Sequence, residues 1–226
     1  MTRAVLILRP EPGAGATAER ARALRLEPIV QPLFRIRRLP WDPPRAEGFD
    51  AVMMTSANAV RHGGPGLTRY HHLPLHAVGA ATAAAARAAG FHTVIEHRGD
   101  AAALVAALPG DVRRLLHLAG REHREAARAS VSIERRIVYA SDRDAAAAAA
   151  IVEALGGHPI VLLHSPRAAR MLAELVDRAG VCRGGLRLAA ISPAALAASG
   201  EGWERAAAAA VPTDDALLAV AARLCD

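Results

Sequence analysis

The sequence predicts an α/β protein in which helices cover both faces of parallel sheets. Short apolar runs, such as residues 5–8 and 160–163, alternate along the chain with alanine-rich segments of helical character. A parallel strand that is buried on both faces is apolar throughout, and its crossover connection is usually a helix. Because a similar series of segments occurs twice, the sequence also predicts two related lobes.

The predicted elements follow one another in the order that such a fold requires. The predicted strands cover residues 5–8, 49–54, 75–78, 93–95, 114–118, 133–139, 160–163, 186–191 and 206–210, and residues 28–36 are predicted to be extended. The predicted helices cover residues 16–26, a segment from Ala57 onward, and residues 80–89, 101–108, 122–129, 145–155, 168–179, 194–199 and 214–224. The alanine run at 206–210 is assigned to a strand in spite of its helical propensity, because the alternation would otherwise break.

Small residues follow the strands at matching places in the two halves. Ser56 and Gly79 occupy these places in the first half, and Ser165 and Ser192 occupy them in the second. There a helix begins, and its free N–H groups and positive dipole end attract a carboxylate or a phosphate. For any single hydroxyl side chain, a simpler role as a helix N-cap is the favoured interpretation. Four such turns facing one cleft would favour binding, since ligands of open parallel sheets gather at the carboxyl ends of strands.

The composition excludes several kinds of chemistry. All 28 basic residues are arginine, because the sequence contains no lysine. This excludes Schiff-base catalysis by a lysine and phosphate loops of the Gly-Lys-Ser/Thr type. The net charge of +6 makes an anionic partner plausible. The arginines are scattered and aromatic residues make up 3% of the chain, so a nucleic-acid partner is not predicted.

The sequence favours a protein of the cytoplasm that has no membrane segment. Its apolar runs are too short for a signal peptide or a transmembrane helix. The two cysteines, Cys182 and Cys225, form neither a redox motif nor a metal motif, which fits a reducing compartment.

Three histidines, namely His71, His72 and His76, cluster near one predicted turn, and His62 lies upstream of them. No cysteine or carboxylate joins them at the spacing of metal ligands, so the sequence predicts a solvated loop there and no metal site.

Taken in order, several segments resemble the uroporphyrinogen-III synthase family. They are Arg9-Pro10, Thr55-Ser56-Ala57-Asn58-Ala59-Val60, Val78-Gly79-Ala80-Ala81-Thr82, residues 116–120, Val138-Tyr139, Ser165-Pro166 and Val211-Pro212-Thr213. The sequence departs from the family pattern at four positions. Leu8, His164 and Ala195 stand in place of the usual threonines, and Ser192 stands in place of a glycine. The three threonine replacements remove hydroxyl groups, but all four departures leave the backbone N–H groups in place.

The resemblance implies two flavodoxin-like parallel-sheet lobes joined by a two-stranded β ladder. Lobe 1 is expected to be discontinuous, comprising residues 1–34 and 141–226, and lobe 2 to comprise residues 40–133. Residues 35–39 and 134–140 are then the linker strands.

The resemblance also implies an enzyme that uses no cofactor and no metal. Members of the family close hydroxymethylbilane, a linear tetrapyrrole with eight carboxylates, into uroporphyrinogen III, and they invert ring D during closure. Tyr139 is the candidate hydrogen-bond donor to the departing hydroxyl, and Thr82 is a second candidate. For Tyr139, a role in packing alone is the alternative.

The remaining family positions are expected to hold the substrate. They are Arg9, Ser56, Ala57, Asn58, Gly79, Ala80, Gly120, Ser165 and Ser192. For Asn58, a local hydrogen bond early in a helix is the simpler interpretation. His164 is expected to bind a carboxylate or merely to replace a hydroxyl. The predicted partner is this small-molecule polycarboxylate, with no nucleic acid and no membrane, and the chain is expected to be a monomer. A two-lobed binding protein for an anionic small molecule, without catalysis, is the alternative function.

Overall fold

The computed structural model describes residues 4–225. The chain divides into two compact units. The first contains the described residues up to Arg35 and those from Arg143 onward, and the second extends from Ile36 to Asp142.

The first unit contains a five-stranded parallel sheet. Its strands are β1 (Ala4–Ile7), β2 (Glu27–Val30), β9 (Ile160–Leu163), β10 (Arg187–Ala190) and β11 (Arg205–Ala208). They lie in the order β11-β10-β9-β1-β2. Counted along this unit, the order is 2-1-3-4-5, which is that of the flavodoxin-like fold.

Helices cover both faces of this sheet. They are α1 (Gly13–Ala23), α5 (Ala147–Leu155), α6 (Pro166–Arg178), α7 (Pro193–Ala197) and α8 (Asp214–Arg223). Leu6 of β1 packs in the core with residues of α5, α6 and α7, whereas Val5 and Ile7 pack in the core with residues of α1 and α8. This alternation of faces explains why the strands are apolar throughout.

The second unit contains a six-stranded sheet. Its strands are β3 (Phe34–Arg38), β4 (Ala51–Met54), β5 (Leu75–Val78), β6 (Val94–His97), β7 (Arg114–Gly120) and β8 (Ser132–Arg143). They lie in the order β3-β8-β7-β4-β5-β6. The strands from β4 to β8 pair in parallel. Counted along this unit, their order is 3-2-1-4-5, the order of classic doubly wound dinucleotide-binding folds.

Three helices cover this sheet, namely α2 (Ala57–Gly63), α3 (Ala80–Ala88) and α4 (Ala101–Ala106). The helices α2 and α3 contribute to one core with Val52 and Met54 of β4, and α4 contributes to a second core with Ala51 and Met53. The predicted fold class, an α/β protein with two parallel-dominated sheets, is confirmed.

The chain passes between the units through β3 and β8, which pair with each other. Leu39 N donates to Val138 O at 2.9 Å, and Asp144 N donates to Leu33 O at 3.0 Å. The partner number falls as the residue number rises, so the two strands are antiparallel. The passages from one unit to the other lie after Arg35 and after Asp142.

The helix predicted at residues 122–129 is wrong. Described residues in this segment form no helix, because long-range contacts hold it in an irregular conformation. The Glu125 carboxylate accepts from Arg135 at 3.1 and 3.2 Å, and Arg128 Nη1 donates to Leu108 O at 2.7 Å. Ala126 is buried against the core beside α4. These contacts outweigh the helical propensity of the segment.

For three other predicted elements, the structure changes the bounds of two and confirms the third. The stretch predicted to be extended at residues 28–36 contains two strands, because β2 joins the first sheet and β3 the second, with Pro32 between them. The helix α1 begins and ends three residues earlier than predicted, because Arg25 adopts a positive φ of 59° that stops it. The alanine run after Arg205 does form a strand, as predicted.

The prediction of a solvated histidine loop is wrong for His76. This residue lies on β5, is 3% exposed, and its Nδ1 lies 2.8 Å from Nε2 of His97 on β6. Its pKa falls to about 4, mainly because of burial and in part because of the neighbouring His97. His72 is exposed, as the prediction expected.

We predict that His76 makes the fold acid-sensitive. The unfolded side chain takes up a proton near pH 6.5 and the folded one near pH 4, so acidification between these values favours unfolding. Wild type should lose about 2–3 kcal/mol of free energy of unfolding between pH 7 and pH 4.5 through this group, and His76→Gln should abolish that part of the loss. Urea unfolding at both pH values measures the difference, with His72→Gln as the control that keeps it. An unchanged acid loss in His76→Gln would contradict the prediction.

Candidate active site

The carboxyl ends of β4 and β7 form the topological switch point of the second unit. From β4 the chain continues to β5 and β6 on one side, while β7 and β8 lie on the other. Ser56 follows β4, and Gly120 ends β7. Open α/β sheets bind their ligands in the crevice at such a point.

The helix α2 begins at this switch point with a side-chain cap. The Ser56 Oγ accepts from Asn58 N at 3.2 Å, and the Asn58 Oδ1 accepts from Arg61 Nη1 at 3.3 Å. These contacts agree with the simpler interpretation of both residues, as an N-cap and as a local helix contact. Ala57 is buried at the first position of α2.

The helix α3 begins differently. Gly79 precedes it with a φ of +78°, which favours glycine, and no side chain caps the helix. Gly79 has nothing within 4 Å of the place where a Cβ would stand. The amides of Thr82 and Ala83 donate to Gly79 O at 3.1 Å, which leaves Ala80 to offer its N–H at an open helix N-terminus. Thr82 is 4% exposed.

Tyr139 lies at the same switch point. Tyr139 on β8 pairs with Gly120 on β7, and its half-buried ring packs against the core that holds α2 and α3. The ring centroid lies 6.2 Å from that of His62, near the end of α2. The structure therefore places Tyr139, Gly120 and Ser56 on one edge of one sheet.

The switch point of the first unit lies between β1 and β9. Arg9 follows β1, and His164 and Ser165 follow β9. Ser165 Oγ accepts from Ala168 N at 3.1 Å, so its hydroxyl caps α6. Ser192 Oγ likewise accepts from Ala195 N at 3.2 Å at the start of α7.

An aspartate that sequence reasoning missed organises this second edge. Arg9 Nη1 donates to Asp214 Oδ1 at 2.8 Å, Thr17 Oγ1 donates to Oδ2 at 2.7 Å, and Arg20 Nη1 donates to Oδ2 at 3.2 Å. Burial raises the pKa of Asp214, but contacts with His164, Thr17 and Arg9 outweigh this and hold it well below its usual range. The position of Asp214 in the first turn of α8 favours a negative charge.

His164 lies beside this network. Its side chain is 6% exposed and its Nε2 is 3.5 Å from Asp214 Oδ1. Within the described part of the chain, neither ring nitrogen has a hydrogen-bond partner. Burial lowers the pKa of His164, and the Arg9 charge adds to this against the opposing effect of Asp214. His164 is therefore a neutral ring at neutral pH.

The sequence contains a pattern that indicates only part of this network. Thr213 before Asp214 is a typical N-cap followed by an acidic first turn. No pattern in the sequence indicates that Asp214 pairs with Arg9, which lies 205 positions away along the chain. Among residues 4–225, no three side chains of histidine, cysteine or carboxylate type come together as a metal site would require. The same residues contain no helix long and apolar enough to cross a membrane.

The fold and the two switch points define a two-unit protein of the doubly wound α/β class. The model of the family described as uroporphyrinogen-III synthase HemD matches residues 15–219. The chain belongs to the uroporphyrinogen-III synthase family, as its sequence pattern predicted, and it is an enzyme, a cyclising lyase of porphyrin biosynthesis.

Solved structures of similar fold carry the same family name. A uroporphyrinogen-III synthetase from Helicobacter pylori 26695 matches with a TM-score of 0.66 and 16% identity, over 99% of this chain and 100% of that one. A mutant uroporphyrinogen III synthase from the extremely thermophilic bacterium Thermus thermophilus matches with a TM-score of 0.56 and 16% identity, over 98% of each chain. No curated protein matches the chain significantly.

We predict that Asp214→Asn lowers the free energy of unfolding by about 2 kcal/mol at pH 7, because charge-assisted hydrogen bonds are lost. The folded carboxyl has a lowered pKa, so its stabilisation is present above about pH 4 and is lost as the pH falls further. The difference between wild type and variant should therefore shrink between pH 4 and pH 2.5 in urea unfolding. Asp215→Asn is the matched control, since the Asp215 side chain is 86% exposed. Equal effects of the two substitutions at pH 7 would contradict the prediction.

Proposed function

We propose that the chain closes hydroxymethylbilane into uroporphyrinogen III with inversion of ring D. In the net reaction the terminal C–O bond breaks, and the substituted α-carbon of ring D forms the bond that closes the macrocycle. The bond from that carbon to its former bridge breaks, and the bridge bonds instead to the free α-carbon of ring D. The proton lost from this free α-carbon leaves with the hydroxide as water. The observation that carries the proposal is the family match over residues 15–219, together with a phenol at the switch point of the second unit.

Tyr139 is proposed to donate a hydrogen bond to the departing hydroxyl. Its ring is half-buried at the carboxyl edge of the sheet, and no hydrogen bond within residues 4–225 engages its hydroxyl. The donor therefore remains free for a ligand. Thr82 is proposed as a weaker second donor, since little of its surface is exposed.

Backbone amides at helix N-termini are proposed to hold the substrate carboxylates. The start of α3 supports this best, because neither a cap nor a neighbouring side chain occupies the space above Gly79. Ala57, Asn58 and Ser56 at the start of α2 are proposed to add a second contact. In the first unit the hydroxyls of Ser165 and Ser192 cap their own helices. The contacts proposed there therefore come from the backbone.

Arg9 is proposed to bind a carboxylate through its remaining donors. Asp214 and Thr17 engage its Nη1, which fixes the guanidinium, and a third of its side chain is exposed. A guanidinium held in this way can add a contact with little further loss of side-chain freedom.

We also propose that the enzyme works in the cytoplasm as a monomer. Neither Cys182 nor Cys225 forms a disulfide, which fits a reducing compartment. Of the large hydrophobic residues in the described part of the chain, only Leu24 and Val211 are exposed, so no broad apolar surface calls for a partner.

The product isomer tests the function. Purified enzyme incubated with freshly made hydroxymethylbilane should give the type III porphyrin after oxidation, as separated by chromatography. A binding protein without catalysis would leave the uncatalysed type I isomer, and that result would refute the proposed function.

We predict that Tyr139→Phe lowers turnover by about 10²–10⁴-fold while the protein stays folded, because a hydrogen-bond donor to the leaving group is lost. Tyr70→Phe is the matched control. It removes the bond from the Tyr70 hydroxyl to Pro44 O, 2.7 Å long, so it should cost about 1 kcal/mol of stability and leave turnover within about twofold. Type III formation at the wild-type rate by Tyr139→Phe would exclude the role of the phenol.

A further inference from the structure

The pairing of β7 with β8 contains an irregularity next to Tyr139. Ala119 pairs with Ile137, but Gly120 pairs with Tyr139, so Val138 is an extra residue in β8. Such β-bulges are rare between parallel strands, and bulges are over-represented next to active sites, where they redirect a side chain.

The bulge changes the direction of the Tyr139 side chain. Successive residues of a regular strand face opposite sides of the sheet. Val138 and Tyr139 nevertheless contact the same core, which lies on the side of α2 and α3. Val138 is fully buried there, and the bond from Arg121 N to Tyr139 O, 2.9 Å long, ties the backbone just beyond the bulge.

Gly120 provides the surface on which the phenol lies. A Cβ at Gly120 would stand 2.5 Å from Cζ, 2.8 Å from Oη and 2.9 Å from Cε2 of Tyr139. The hydroxyl end of the ring thus occupies the space that any other residue would need for its side chain. The neighbouring ring of His62 lies on α2. Burial and the charges of Arg61 and Arg38 lower the pKa of His62, so this neighbour is uncharged.

We propose that Gly120 and His62 are positioning residues for the Tyr139 phenol, with the bulge at Val138 turning the ring toward them. This inference rests on the proposed role of Tyr139 and assigns Gly120 a different task from substrate binding. A methyl group at Gly120 must push the ring end away by about 1 Å to reach ordinary contact, and a misplacement of that size can cost about 10²-fold in rate.

A double-mutant cycle tests the proposal. Gly120→Ala should lower kcat by about 10–100-fold with KM within about threefold. In a Tyr139→Phe background the same substitution should change kcat by less than about twofold, because the hydroxyl through which it acts is gone. Gly110→Ala is the matched control, since it lies in the same unit with nothing within 4 Å of its Cβ position, and it should leave kcat unchanged in both backgrounds.

His62→Ala is a second test of the proposal, and it removes a neighbour of the ring without adding a larger side chain. It should lower kcat in the Tyr139 enzyme and not in Tyr139→Phe, with the exposed His72→Ala as its control. Equal losses in both backgrounds for either Gly120→Ala or His62→Ala would mean a structural or substrate-binding role and would overturn the proposal. A normal kcat in Gly120→Ala alongside a slow Tyr139→Phe would overturn it as well, while leaving the proposed function intact.

Discussion

The direction of parallel strands is the constraint on which both units depend. Every strand of a parallel sheet ends at the same edge, so the residues that follow the strands are gathered there whatever their distance along the chain. In the second unit this brings Ser56 and Gly120 to one edge, and in the first unit it does the same for Arg9 and His164. Each helix that follows a strand presents its N-terminus at that edge. The candidate site residues of both units are therefore found at strand ends and helix starts.

The carboxyl edges of the two sheets differ in the kind of side chain that they gather, which is uncharged around Tyr139 in the second unit and an ion pair in the first. In the second unit the phenol of Tyr139 has a neutral histidine and a glycine as neighbours, and Arg121 is itself paired with Asp142 at 2.9 Å. In the first unit Asp214 balances the charge of Arg9 before any ligand arrives. A chain whose basic residues are all arginine thus keeps a neutral group at the proposed point of chemistry. That arrangement suits a reaction in which loss of hydroxide leaves a positive charge on the substrate.

The sequence could predict what short-range patterns determine. Apolar runs between helical segments predict the parallel strands, and the alternation was strong enough to assign the alanines after Arg205 to a strand. The segment around Glu125 shows the limit, because its conformation depends on Arg135 and Leu108, which no local pattern reveals. The bulge at Val138 is equally invisible in the sequence, since it exists only as a pairing between β7 and β8.

The serine hydroxyls at the strand ends of the first unit have little left to offer a ligand. Ser165 and Ser192 turn their hydroxyls onto their own helices, and Pro166 and Pro193 supply no N–H at the first position. In the second unit the start of α3 has neither a cap nor a proline. Amide donors are therefore more plentiful in the second unit than in the first.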